Sequence, residues 1–117
     1  PESVEASRVA LAAKLQLRGD KRSEFHMRLM EVRGPVNGER AKALARELGL
    51  DMARLERDLA AGEGAAAVRE NVTLGDKLGL TGTPAFIIGE EIISGAVGVE
   101  PLRRAVANMR SCGKATC

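Results

Sequence analysis

The chain has 117 residues, 44% of them hydrophobic and 29% charged, with a formal net charge of +2; that is enough for one domain with a core and too little for two independent ones. Opposite charges alternate along it, as in Arg54-Leu55-Glu56-Arg57-Asp58, and Phe25 and Phe86 are its only aromatics, which argues against the gathered basic face and stacking platforms of a nucleic-acid binder. No run approaches the roughly 20 apolar residues that a membrane-crossing helix needs.

In chain order the spacing predicts five helices, a hairpin and a last helix. Ser3 is placed to cap a helix whose apolar positions are Ala6, Val9, Ala10, Ala13 and Leu17, ending near Gly19. Residues 18–23 read as a turn. Phe25, Leu29 and Val32 then recur at helical spacing until Gly34-Pro35 stops them, and Asn37-Gly38 starts the next helix, with Ala41, Leu44, Ala45 and Leu48 on one face. Gly49 fits a helix stop and Asp51 an N-cap, so Leu50 is the joint to a helix carrying Met52, Leu55 and Leu59. After Gly62 and Gly64 a fifth helix aligns Val68, Val72, Gly75 and Leu78 and ends at Gly79.

Beyond Gly79 the period changes. Ala85 to Ile88 is short and apolar, and Ile92-Ile93 answers it across Gly89-Glu90-Glu91, a tight β-hairpin in which Gly supplies positive φ. The unbroken apolar character predicts strands buried on both faces beneath helices, as in α/β sheets. Gly98 and Pro101 open a last helix with Leu102, Val106 and Met109 inward, and residues from Ser111 on read as a tail.

Few residue groups carry chemistry on pattern alone. Pro84, taken by itself, is a trans proline at the first position of a strand, where its missing N–H costs nothing. Cys112 and Cys117 form Cys-x4-Cys after the closing helix. Two readings of them stay open: a disordered tail with free or crosslinked thiols, or a small local disulfide in an extracytoplasmic protein, closing too short a loop to add much stability. With one distant His they fall short of a four-ligand metal site, so neither metal nor cofactor is expected. His26, the only histidine, has no nucleophile beside it and reads as a residue on the flank of the Phe25/Leu29 helix face. Glu90-Glu91 reads as a solvated turn, and residues 79–82 lack the Gly spacing and Lys of a phosphate loop.

The stretch Thr-Gly-Thr-Pro-Ala-Phe-Ile-Ile-Gly-Glu-Glu-Ile-Ile-Ser-Gly-Ala-Val-Gly, residues 81–98, resembles the cis-proline loop and following hairpin of the thioredoxin superfamily. Within it the match is to the DsbA-type periplasmic disulfide oxidoreductases, including relatives labelled outer-membrane antigens. Phe25-His26-Met27-Arg28-Leu29-Met30 and Leu48-Gly49-Leu50-Asp51 are similar to that family's helical insert. The glutathione-transferase kappa and chromene-carboxylate isomerase group shares the layout, but its hairpin reads differently after the proline strand.

The resemblance implies a partial α/β fold, thioredoxin-like and of the DsbA type, in which a helical insertion of about five helices precedes a β-hairpin and a closing helix. Residues 1–80 would be the insertion and its linking helix, 81–111 the C-terminal ββα part, and 112–117 a tail. It also implies that the Thr83-Pro84 bond is cis and that both residues bind substrate, the Thr83 backbone pairing with an extended strand. The family's chemistry runs through a thiolate at a helix N-terminus, where the helix dipole lowers its pKa. That residue pair is a Cys-x-x-Cys, and this chain contains none.

The function so implied is that of a fragment of a periplasmic or cell-envelope thiol-disulfide oxidoreductase acting on cysteine-containing exported proteins with a redox partner. It would carry the cis-proline loop but not the catalytic cysteines, which would lie upstream, and be inactive alone. The start at Pro1, with neither initiator Met nor signal sequence, reads as a processing or cloning boundary. The alternative is a redox-inactive thioredoxin-like scaffold serving as a binding or surface protein. In either case the apolar hairpin, lacking neighbouring strands, is expected to pair with a second copy and give a homodimer.

Overall fold

A computed structural model describes all 117 residues. Six helices and one two-stranded sheet follow in the order α1 (Glu2–Lys14), α2 (Asp20–Met30), α3 (Gly38–Glu47), α4 (Met52–Ala61), α5 (Glu63–Lys77), β1 (Ala85–Ile88), β2 (Glu91–Ser94) and α6 (Val99–Cys112). This is the five-helix, hairpin, helix order that the spacing predicts. The chain divides into two compact units, Pro1–Val72 and Thr73–Cys117, so the division falls inside α5.

The first unit is built on small side chains. Helix α1 packs chiefly against α3 and α4, and α2 packs against α3 and α1. Ala13, Ala41 and Ala45 are fully buried, which lets the helix backbones approach closely. Gly38 belongs to the same seam: a Cβ there would lie 3.3 Å from Cβ of Glu5. The larger side chains Val9, Leu17, Phe25, Leu29, Leu44 and Leu55 close the core around it.

The helix ends follow local chemistry. Asn37 and Asp51 each accept a hydrogen bond from the third residue on, Arg40 and Arg54 respectively, which satisfies N–H groups left free by the first turn. Two boundaries differ from expectation. Ser3 lies inside α1, because the Pro1 carbonyl accepts from the N–H groups of Val4 and Glu5 and makes Pro1 the N-cap, ahead of Ser3. Helix α2 begins at Asp20, not after Ser23. Gly19, at φ 55°, reverses the chain within one residue, and Arg22 donates from Nε to the Leu17 carbonyl at 2.7 Å, so the expected turn is mostly helix.

In the second unit β1 and β2 pair antiparallel, with Phe86 opposite Ile93 and Ile87 opposite Ile92. Glu91 is in β2, which leaves a two-residue Gly89-Glu90 turn with positive φ only at Gly89, the position a type II′ hairpin gives to glycine. Helix α6 packs against β1. Its inner side is Leu102, Ala105 and Met109; Val106 faces solvent at 37% exposure, a rotation the alternative spacing 102, 105, 109 allows equally well.

The expectation about strand burial fails, and the fifth helix's aligned row is uncovered too. The strands are not covered on both faces: Ile87 and Ile92, which share a face, are 50% and 46% exposed. Nor is the fifth helix's apolar row buried, since Val72 and Leu78 are exposed while Val68 and Gly75 are half-buried. Spacing decides which side chains align, but burial needs a second surface.

Candidate functional site

The loop of residues 80–84 is positioned by its two ends. Gly79, at φ 70°, terminates α5. There Leu80 N–H donates to the Gly75 carbonyl at 2.9 Å and Gly79 N–H to that of Asp76 at 3.0 Å, a Schellman-type closure that only a residue tolerant of positive φ permits. At the other end the Pro84 carbonyl accepts from Gly95 N–H at 2.8 Å. This bond extends the ladder one residue past the Ala85–Ser94 pair. The Thr83–Pro84 peptide bond is cis.

Thr83 and Pro84 are both exposed. Pro84 has no N–H to offer, and the hydrogen bonds of the loop leave the Thr83 backbone outside the ladder. Gly95 is the hinge on the facing strand. At φ 87° its N–H donates to the Pro84 carbonyl, and its own carbonyl accepts from Val97 N–H at 3.0 Å. The loop thus offers a solvent-facing edge of main chain, with no acidic, basic or thiol side chain on Thr83, Pro84 or Ala85.

Cys112 and Cys117 are joined in a disulfide. They do not sit with the proline loop. Thr116, beside Cys117, donates to Glu91 Oε2 at 3.4 Å, and Glu91 is at the turn end of the hairpin. A four-residue strand separates that end from Pro84, roughly 13 Å of extended chain. The segment expected to be a loose tail is folded: Ala115 is buried and its carbonyl accepts from Asn108 Nδ2 at 3.0 Å. The signal for this in the sequence was the Gly after Cys112, a helix stop that turns the chain back.

His26 is exposed on α2. A cavity of about 450 Å³ in the first unit is lined by Glu5, Arg8, Glu39, Lys42 and Glu56 among others. There Lys42 Nζ meets Glu56 Oε1 at 2.8 Å, and that hydrogen bond raises the Lys42 pKa above its ordinary 10.5, outweighing partial burial, which acts the other way. The residues at the proline loop and the disulfide include no group of three or more metal-ligating side chains.

The sequence model of the family described as "DSBA-like thioredoxin domain" matches residues 2–107. Among solved structures the chain is similar to a thioredoxin-like oxidoreductase from Silicibacter pomeroyi DSS-3, with 37% sequence identity and a TM-score of 0.81. The alignment covers 94% of this chain and 62% of that one, so the chain spans less than two thirds of that structure's length. No curated protein matches it.

Proposed function

The chain belongs to the DSBA-like thioredoxin domain family, and from that membership we propose that it is the substrate-binding part of a thiol–disulfide oxidoreductase working on exported proteins. The observation that carries the reading is the pairing of Pro84 with Gly95. It holds Thr83 at the head of β1 as exposed, unpaired main chain, the geometry from which an incoming extended peptide can add to a sheet edge.

In this proposal Thr83 and Pro84 orient the substrate cysteine, and a Cys-x-x-Cys on polypeptide before Pro1 does the exchange. A thiolate of the substrate attacks one sulfur of that oxidised pair, the pair's S–S bond breaks with its other cysteine leaving as a thiolate, and the mixed disulfide resolves when the substrate's second thiolate attacks the bound substrate sulfur and expels the enzyme cysteine. Two electrons pass from substrate to enzyme, and a redox partner removes them. The setting is the periplasm or cell envelope, where disulfides persist. No helix of the chain is long and apolar enough to cross a membrane.

The deciding experiment is mass spectrometry of the endogenous protein with thiol trapping. A Cys-x-x-Cys upstream of Pro1, behind a cleaved export signal, supports the reading. Its absence favours the second reading, a redox-inactive scaffold that binds partners through the same loop, for which the specific observation is that both cysteines of this chain are used in a disulfide away from Pro84. The isolated 117-residue chain is expected to reduce insulin no faster than its Cys112→Ser/Cys117→Ser variant.

The isolated chain is also proposed to form a homodimer through the hairpin. Ile87 and Ile92 make an exposed apolar pair on a two-stranded sheet with both edges open, a surface that templates further pairing. A monomer by light scattering at high concentration would remove this proposal.

A further inference from the structure

The closing helix does not end in a free tail, and the reason is covalent. Gly113, at φ 77°, caps α6 with its N–H on the Met109 carbonyl at 3.2 Å and turns the chain back along the helix. Residues 113–117 then lie against α6 and the start of β2. Beyond that cap bond the contacts holding them are few: the buried Ala115 side chain, the Asn108 amide on the Ala115 carbonyl, the Thr116 hydroxyl on Glu91, and the Ser111 hydroxyl 3.9 Å from Cys117 Sγ. Lys114 and Thr116 are exposed on either side of Ala115.

One small buried side chain, the Gly113 cap bond and three side-chain hydrogen bonds, two of them exposed, do not offset the entropy lost in fixing five residues. The Cys112–Cys117 bond closes that gap by tethering the segment's far end to the helix. Both cysteines are exposed, so a reductant in solution reaches the bond without the fold opening. From this we propose that Cys112–Cys117 is a redox-operated clasp: intact, it seats residues 113–117 on α6 and β2, and reduction by a dithiol releases them as a mobile tail carrying two thiols.

The step balances with a small or protein dithiol as reductant. Its thiolate attacks one sulfur of the pair, the S–S bond breaks, and the other cysteine leaves as a thiolate that takes up a proton. The reductant's second thiol then displaces the first cysteine from the mixed disulfide. The protein ends with two thiols and the reductant with one disulfide. Cys112 is the last residue of α6, where the free carbonyls of the last turn oppose a developing negative charge. Cys117 is therefore the better leaving group, and the mixed disulfide forms on Cys112. Release also removes the Thr116 tie to Glu91 and frees the Asn108 amide. The turn end of the hairpin loosens while the Pro84–Gly95 bond at its other end remains.

This clasp is independent of the exchange activity proposed above, and its test does not read that activity. The chain is treated with dithiothreitol under native conditions, its thiols are counted, and trypsin cleavage after Lys114 is followed by mass after a denaturing, reducing quench. Helicity by circular dichroism serves as the control. Reduction is expected to liberate both thiols without loss of helicity and to speed cleavage after Lys114 by about tenfold or more, because cleavage tracks the population of the open segment. Cys112→Ser/Cys117→Ser should cut at the fast rate with or without dithiol, whereas oxidised Asn108→Ala should stay slow. A bond that resists native reduction, a reduced or double-serine protein that keeps the slow rate, or an oxidised Asn108→Ala that is already fast would each overturn the clasp.

Discussion

Gln16 and Asp51 grip one another through two hydrogen bonds: Asp51 N–H donates to Gln16 Oε1 at 2.8 Å, and Gln16 Nε2 donates to the Asp51 carbonyl at 2.9 Å. The pair ties the chain just after α1 to the joint between α3 and α4. Because it engages both groups of one main-chain unit, no rotation of Gln16 keeps one bond and releases the other cheaply. Gln16→Ala is expected to lower stability by about 1–2 kcal/mol, seen as a lower urea midpoint at unchanged slope.

The carboxylate of Asp51 works separately, capping α4 through Arg54 N–H at 3.0 Å. Asp51→Ala should cost about 1 kcal/mol and Asp51→Asn much less, since the amide oxygen still accepts. The Gln16 bonds go to the backbone of Asp51, so the effects of Gln16→Ala and Asp51→Ala should nearly add. Strong non-additivity in the double variant would mean that the joint moves.

The alanine seam between α1 and α3 leaves no room for growth. Ala41 is fully buried, and Ala41→Leu is expected to destabilise by about 1–3 kcal/mol through overpacking. Leu55, also fully buried, should lose about 2–5 kcal/mol on truncation to Ala. Chemical denaturation of the two variants checks both values.

At the hairpin turn Gly89 has φ 62°, and a Cβ there would lie 2.5 Å from Sδ of Met109. Met109 is flexible and can yield; the backbone cannot. Gly89→Ala is expected to cost about 1–2 kcal/mol from the left-handed conformation alone. Adding Met109→Ala should not restore stability, and a full rescue would show the side-chain clash to be the whole cost.

The Lys42–Glu56 pair gives a pH dependence of known sign. Folded Lys42 holds its proton more tightly than an unfolded lysine, chiefly because Glu56 accepts its hydrogen bond. The pair's contribution is therefore complete below pH 10.5 and disappears as the pH rises through the raised folded value. Glu56 is 55% exposed, and solvent screening keeps the size under about 1 kcal/mol. Lys42→Met should show a shallower fall in thermal midpoint than the parent over that alkaline range.

Much of this was legible in short-range sequence. Asn37, Asp51, Gly49, Gly62 and Gly79 act within a few residues of themselves, so the side-chain caps and positive-φ stops could be read directly. The proline loop was legible too, through the run from Thr81 to Gly98. Where reading failed, the deciding partner was distant. Arg22 reaches back to the Leu17 carbonyl and, with Gly19, brings α2 forward to Asp20.

The sequence by itself determined the order of elements and the family, because helix periodicity, capping and the Thr83-Pro84 motif are local patterns that any fold must honour. Tertiary structure alone decided which apolar side chains are covered, which side of α6 faces β1, and that Cys112 and Cys117 join to seat the last residues. Each of these depends on which surface lies opposite a residue, and a linear pattern says which side chains align but not what meets them.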